Sequence, residues 1–405
     1  MSDWTVTLGL TAALGLAPQA PADPPPAADW MTTQGFRSVT GELGPHRLSP
    51  PDTAGSFDGA PVVNWRVRLP TPPHASATHT ERSGPVLSGE RIYVGAAGDD
   101  GLMVLDRRDG SLLWRMPATA PVQASPVVSG ERVFFTDVSG TTYCFPTDGD
   151  EALWSHFSGA PLLSPPTVEG GTVYVANVDG QVYALSAEDG SLLWRYAHRT
   201  DPGRLAELEL YGAPSPVLAG EMLLTGYSDG AVIALRASTG DPLWTRRVGE
   251  GAYPDLIAEP AVRESDLLIA GYSEPLISMD RETQAVRWRL DVGGPHPVVE
   301  SGELLLHSGG DGILRALDAL TGDLKWEWDS TTESALTRPI PTAAGVLVGA
   351  AAGTVYLIDP ETGEERWDYD PGYFLSGVTA APAVEGRQAV VLTNAGNLVS
   401  FVVPR

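Results

Sequence analysis

Cys144 is the only thiol in the chain, and it lies in TTYCFP, a run that reads as a strand. One cysteine forms neither an internal disulfide nor a thiolate metal cluster. A nucleophilic thiol needs a basic neighbour to lower its pKa, and none is visible in the local sequence. A small buried hydrophobe is expected there instead. His74 and His79 flank ASAT in a Pro-rich loop, and two ligands on one loop make no closed zinc site. Asp-Gly pairs recur, as in GDDG at 98–101 and GGDG at 309–312. Their carboxylates lack the spacing of a calcium loop, and turn geometry accounts for them. No Gly-rich phosphate loop, Ser/His/Asp grouping at usable motif spacing or basic-aromatic stripe is present. The expectation is a protein without catalytic residues, metal or cofactor.

Charge narrows the partners. Lys plus Arg number 26 against 51 Asp plus Glu, a formal net charge of −25. Such a surface repels phosphate backbones and anionic headgroups, which argues against nucleic acid. Near the start, VTLGLTAALGLA (Val6–Ala17) followed by APQAPA resembles a signal-peptide core and a small-residue cleavage site, although MSDW carries no basic residue. Residues 1–22 are therefore expected to direct export to the periplasm or cell surface. The apolar run is too short to span a bilayer, and no lipoprotein cysteine follows it. Residues 23–61 read as an extended Pro/Gly-rich segment.

What positions these residues is a repeat. DGSLLWR occurs at 109–115 and again at 189–195, and the tryptophans extend the series: Trp65, Trp114, Trp154, Trp194, Trp244, Trp288, Trp326 and Trp367. Successive spacings are 49, 40, 40, 50, 44, 38 and 41, the signature of a stacked or radial array. Within one unit, LSPPTVEGGTVYVANVDGQVYALSAEDGSLLWR, four short strand-like runs alternate with Gly/Asn/Asp turns, giving a meandering antiparallel sheet. Radial stacking buries both faces of such sheets. The recurrent Trp falls on the outermost strand, where it should wedge between neighbours, and its truncation should cost ~3–5 kcal/mol.

The strand count predicts the closure. After Trp367 the chain supplies three strands without a Trp-bearing fourth, whereas VVNWRVRL (62–69) bears a Trp without three strands before it. Joining them makes an all-β, eight-bladed propeller over residues 62–405, expected to be a monomer. Residues next to the inner-strand prolines should then border the axis. Among them Gln123, Glu259, His296 and Arg338 stand out in charge or polarity. They suit either a polar plug lining a water-filled channel or a small-anion site built on Arg338.

SPVVSGERVFFTDVSGTTYCF and SPVLAGEMLLTGYSDGAVIALRASTGDPLW resemble the PQQ-like propeller repeat. Two branches of that superfamily compete. Similarity to quinoprotein dehydrogenases would imply an Asp base, a calcium and a pair of adjacent cysteines on the quinone. One cysteine and near-minimal repeats fit poorly. The chain is closer to the BamB family, envelope scaffolds of eight minimal blades. The longest inter-blade excess, RTDPGRLAELELY (199–211), contains RLAELE, which is similar to that family's RLSDVD-type segment. The resemblance implies that Arg204, Leu205, Glu207 and Glu209 contact a BamA-like protein partner. Two departures stand against it: the lipoprotein cysteine is absent, and the preceding loop SGAPLLSPP lacks the family's usual Arg. The unspecific reading of RLAELE is a solvated helical turn. Deleting residues 1–70 is expected to leave insoluble or protease-sensitive protein, and an unchanged melting temperature and solubility would refute the shared-blade closure.

Overall fold

The computed structural model describes residues 61–72, 81–198, 214–249, 254–272, 274–332, 334–372 and 376–403. Among them every regular element is a strand, and the 32 strands form eight four-stranded antiparallel sheets. Seven blades are continuous in sequence: 86–117, 127–157, 167–197, 217–247, 261–290, 299–329 and 340–369. We call their strands a to d, from the axis outward. The eighth blade takes strands a to c from Ala383–Glu385, Gln388–Leu392 and Asn397–Val402, and strand d from Val62–Arg68.

That fourth strand runs antiparallel to Asn397–Val402, pairing Val62 with Val402 and Arg68 with Asn397, with a bulge between Val63 and Trp65. Beyond the ladder, Leu69 N–H donates to Gly396 O at 2.8 Å. Asn64 Nδ2 donates to Ser400 Oγ at 3.3 Å. Across the seam to blade 1, Arg107 donates through Nε to Gln388 Oε1 at 2.6 Å and pairs with Glu385. Both ends of the array are thereby covered, leaving no open inner edge to template aggregation.

Strands b and c are buried on both faces, as Thr172–Ala176 and Gln181–Ser186 show. Alternation is therefore weaker than a one-sided sheet would display, because each blade faces a neighbour on either side. Only strand d keeps the exposed pattern. The apolar residues divide into eight clusters, each lying between two adjacent blades, with blade 2 meeting blade 3 through Phe134, Trp154, Val173, Val175 and Leu185. Cys144 belongs to this cluster, and burial pushes its thiol up to about 11.

The recurrent tryptophan sits at these junctions. Trp194 Nε1 donates to Ala237 O of blade 4 at 2.8 Å. Trp65, Trp154 and Trp326 make the same bond to Arg107 O, Ala187 O and Pro360 O in the c–d turn of the next blade. The ring packs beneath a glycine of that turn. A Cβ on Gly240, whose φ is +74°, would come within 2.5 Å of Trp194 Cε3. Trp288 lies under Gly322 in the same way. Where the turn differs, the hydrogen bond is missing. The buried Nε1 atoms of Trp114, Trp244 and Trp367 have no hydrogen-bond partner among the described residues. Blade 5 places Gln284, at φ +56°, and blade 2 places Asp150 where blades 1, 3, 4, 6 and 7 have glycine. Blade 8 has no c–d turn, because its strands c and d come from opposite ends of the chain. Trp328 is buried and meets the Tyr356 ring edge-on at 4.7 Å between centroids, so it serves the junction with blade 7.

Gly240→Ala should lose ~2–5 kcal/mol, because left-handed strain adds to a clash with the indole. Gly220→Ala, at φ +67° with nothing within 4 Å of the added Cβ, should lose only ~1–2 kcal/mol. Urea midpoints compare the two, and equal losses would deny the Trp–Gly contact its role.

Candidate docking face and central channel

A four-stranded meander puts its b–c turn and its exit to the next blade at one end, and its a–b and c–d turns at the other. At the first end, buried polar side chains hold the turns. In blade 2, Asp137 Oδ1 accepts the N–H groups of Ser139 and Thr141 at 3.0 and 2.9 Å, while Oδ2 accepts the Thr119 and Tyr143 hydroxyls at 2.8 and 3.0 Å. In blade 3, Asn177 Nδ2 and the Tyr183 hydroxyl both donate to Ser158 O, at 3.1 and 2.7 Å. In blade 4, Asp229 pairs with His198 Nε2 at 3.0 Å and accepts the Ala231 N–H at 3.1 Å. Burial works to raise the Asp229 pKa, but the hydrogen bond and charge of His198 outweigh it and hold the carboxyl below its ordinary value. Satisfied turns of this kind make a rigid base for the connections that leave them.

His198 is the last described residue before 199–213, and its ring also packs on Tyr227 at 4.2 Å between centroids. On the far side of the gap, Pro214 and Ser215 are buried. The anchors of the acidic segment thus sit at the b–c end of blades 3 and 4. Arg204, Leu205, Glu207 and Glu209 themselves lie outside the described residues.

Of the four channel candidates, Arg338 is exposed, while Gln123, Glu259 and His296 are half-buried. Among the described residues no ion pair within 4.0 Å joins Glu259 to Arg338 or to His296. Arg338 nonetheless acts on its neighbour. Burial, and then the Arg338 and His307 charges, push the His296 pKa down to about 4. His307, buried in blade 6, is likewise lowered to about 4 by burial and by Arg315. Unfolded histidines titrate near ~6.5, so between that value and about 4 the unfolded chain holds more protons. The stabilisation from these two residues is complete above ~6.5 and declines as pH falls towards 4.

Gln123 belongs to a different group. Its Nε2 donates to Glu81 Oε2 at 3.4 Å, and the same carboxylate accepts the Ala97 N–H at 3.0 Å. Glu81 N–H donates to Asn394 Oδ1 at 2.9 Å, and Thr379 Oγ1 to Glu81 O at 2.7 Å. Glu81, fully buried, thus links blades 1 and 8 and the segment leading into blade 2. Sequence reasoning missed it, because ERSGPV carries no signal that its acid turns inward. No group of three or more His, Cys, Asp or Glu able to share a metal ion occurs among the described residues.

The family model "Outer membrane protein assembly factor BamB" matches residues 58–144, 105–306 and 253–405, nearly all of the ring. The chain belongs to the BamB family. Curated BamB proteins align at modest identity. The one from Legionella pneumophila is 27% identical over 198 residues, covering 47% of this chain and 51% of that protein. The one from Pseudomonas aeruginosa is 26% identical over 207 residues, 48% and 53% of the two chains. The match thus spans about half the length of these relatives. That from Burkholderia pseudomallei is 25% identical over 332 residues, 78% of this chain and 83% of that one. Among solved structures, BamB from Moraxella catarrhalis superposes with TM-score 0.71 at 20% identity, covering 85% of this chain and all of that one. A quinohemoprotein alcohol dehydrogenase from Pseudomonas putida gives 0.66 at 15%, over 84% and 76% of the two chains. At such identities the structural likeness speaks for the propeller alone.

Arg338→Gln should raise the His296 pKa above 4 while leaving it below ~6.5, because burial is the larger cause. A histidine proton NMR titration reads this directly, and an unmoved His296 would place the guanidinium too far away to act.

Proposed function

We propose that this BamB-family propeller is a non-catalytic protein-binding scaffold of the cell envelope that assists assembly of outer-membrane β-barrel proteins. The observation that carries the reading is the match of the family model over residues 58–405, in a ring whose longest inter-blade insertion is the acidic segment leaving His198. Blades held by their own turns and junctions provide a rigid frame. An acidic segment with an apolar residue, RLAELE, suits a basic and apolar patch on a partner. Leu205 would supply the apolar contact, Glu207 and Glu209 the charge complementarity, and Arg204 a bidentate donor. Export to the periplasm or cell surface goes with this role, as does a BamA-like partner.

The catalytic alternative finds little chemistry to use. A quinone stacked on adjacent cysteines needs two thiols, and the one present is buried between blades with its pKa raised to about 11. The likeness to quinohemoprotein dehydrogenases covers the repeats, which any propeller of this class shares.

Affinity capture from the native envelope in mild detergent should recover the β-barrel assembly machine with the wild type. Glu207→Lys/Glu209→Lys should lose it while keeping its melting temperature. Equal recovery by both forms would remove RLAELE from the interface, and recovery of a different complex would overturn the assembly role.

A further inference from the structure

At the other end of the blades, beside the c–d turns, the first residue of strand b reaches across to the next blade in blades 1 and 2. In blade 1 it is Arg91, whose guanidinium bonds Thr147 O of blade 2 and lies 4.9 Å from the centre of the Trp114 ring. In blade 2 it is Arg132, which bonds Ala187 O and reaches Glu188 O at 3.2 Å. Both interfaces therefore hold an arginine laid along the junction, its head on turn carbonyls. In blade 3 the register position is occupied by Thr172, which pairs with Ser186 as Arg132 pairs with Pro146. Threonine is too short to cross. An open cleft of about 440 Å³ remains between blades 3 and 4.

Its walls are suited to what is missing. Tyr174 and Trp194 line it, with the half-exposed Leu193 at the lip. The turn carbonyl of Ala237 is held by Trp194 Nε1 and, at 3.3 Å, by the Tyr174 hydroxyl. Ser238, the counterpart of Glu188, lines the cleft one residue further on. Beside the aromatic rings the lining also holds one cation, Arg236, and one carboxylate, Glu221. Glu221 is 94% exposed and holds Arg236 only at 4.0 Å. Glu169 pairs in the ladder with Thr172 of the lining, and its charge adds to burial in raising the Tyr174 pKa. With Arg236 offset by Glu221, the two aromatic faces, the turn backbone and the Glu169 charge favour a planar cation over an anion, on a chain whose net charge is −25.

We propose that the cleft between blades 3 and 4 is a docking slot for an arginine side chain presented by an extended basic segment of a partner protein. The incoming guanidinium takes the place that Arg91 and Arg132 fill in the two preceding junctions, lying against Trp194 and Tyr174 with Glu221 beside it. The slot is at the opposite end of blade 3 from His198, so it does not depend on the segment 199–213.

The test uses the full chain with indole-labelled tryptophan and the peptide acetyl-Gly-Arg-Gly-amide, with acetyl-Gly-Glu-Gly-amide as its counterpart. The arginine peptide should shift the Trp194 indole N–H saturably, and the glutamate peptide should not. Thr172→Arg fills the slot from within and should weaken binding by at least about ten-fold, the loss of a cation–π contact and a charge-assisted bond, with a melting temperature no lower than the wild type. Glu221→Lys, at an exposed position, should also weaken it and guards against a folding defect in the first variant. Binding that is absent, equal for the two peptides, or unchanged in Thr172→Arg would overturn the proposal. Self-association of the wild type that Thr172→Arg abolishes would give the slot to a second copy, overturning its assignment to a different protein.

Discussion

The pairing of Val62–Arg68 with Asn397–Val402 is the contact on which the others depend. Each blade buries both faces against its neighbours, so no blade has a core of its own to fall back on. Opening the ring at one seam would expose the face of blade 8 or blade 1 to water and leave the seven-residue Val62–Arg68 and the six-residue Asn397–Val402 with unpaired edges. The seam is accordingly tied in three ways. It has a backbone ladder, the Arg107–Gln388–Ser400 hydrogen bonds on the outer side and the Glu81–Thr379–Asn394 group.

Around the rest of the ring, stability is distributed over repeated junctions. An indole under a turn glycine does two things at once: it fills the gap between strands d of one blade and c–d of the next, and it satisfies a carbonyl of the turn. This explains why the glycine and the tryptophan travel together in the repeat. It also explains the exceptions. Blade 5 has Gln284 in place of the glycine above Trp244, and the split blade 8 offers Trp367 no turn; among the described residues neither Nε1 has a hydrogen-bond partner. Trp367 instead meets Phe401 edge-on at 6.1 Å between centroids.

A repeat protein can hold binding sites wherever a copy departs from the pattern without weakening the array. Three departures stand out in this molecule. The connection after Ala197 carries extra residues, the segments that lead into strand a of blades 5 to 7 carry Glu259, His296 and Arg338, and strand b of blade 3 begins with Thr172 where blades 1 and 2 begin with arginine. The junction between blades 3 and 4 tolerates that last change because Tyr174 and Trp194 still bridge to Ala237. What is lost is filling at the rim, where water already competes.

Much of this could be read in the sequence. The tryptophan spacing set the number of repeats, the Gly/Asn/Asp turns set four strands in each, and the orphan runs at 62–69 and after 380 required a shared blade, because hydrophobic strands must pair and stack to be buried. The same repeat pattern carried the resemblance to PQQ-like propellers, and the minimal blades with RLAELE carried that to the BamB branch. Tertiary structure decided the rest. Glu81 reads as a surface acid until three blades converge on it. His296 and Arg338 lie 42 residues apart in the chain, and only the ring brings the guanidinium close enough to act on the imidazole. Thr172 is an ordinary strand residue until it is set beside the neighbouring turn it fails to reach. Local pattern determines which segments form strands and which faces are apolar, since those depend on nearby residues. Which side chains meet across a junction depends on the register between blades, and that exists only once the ring is closed.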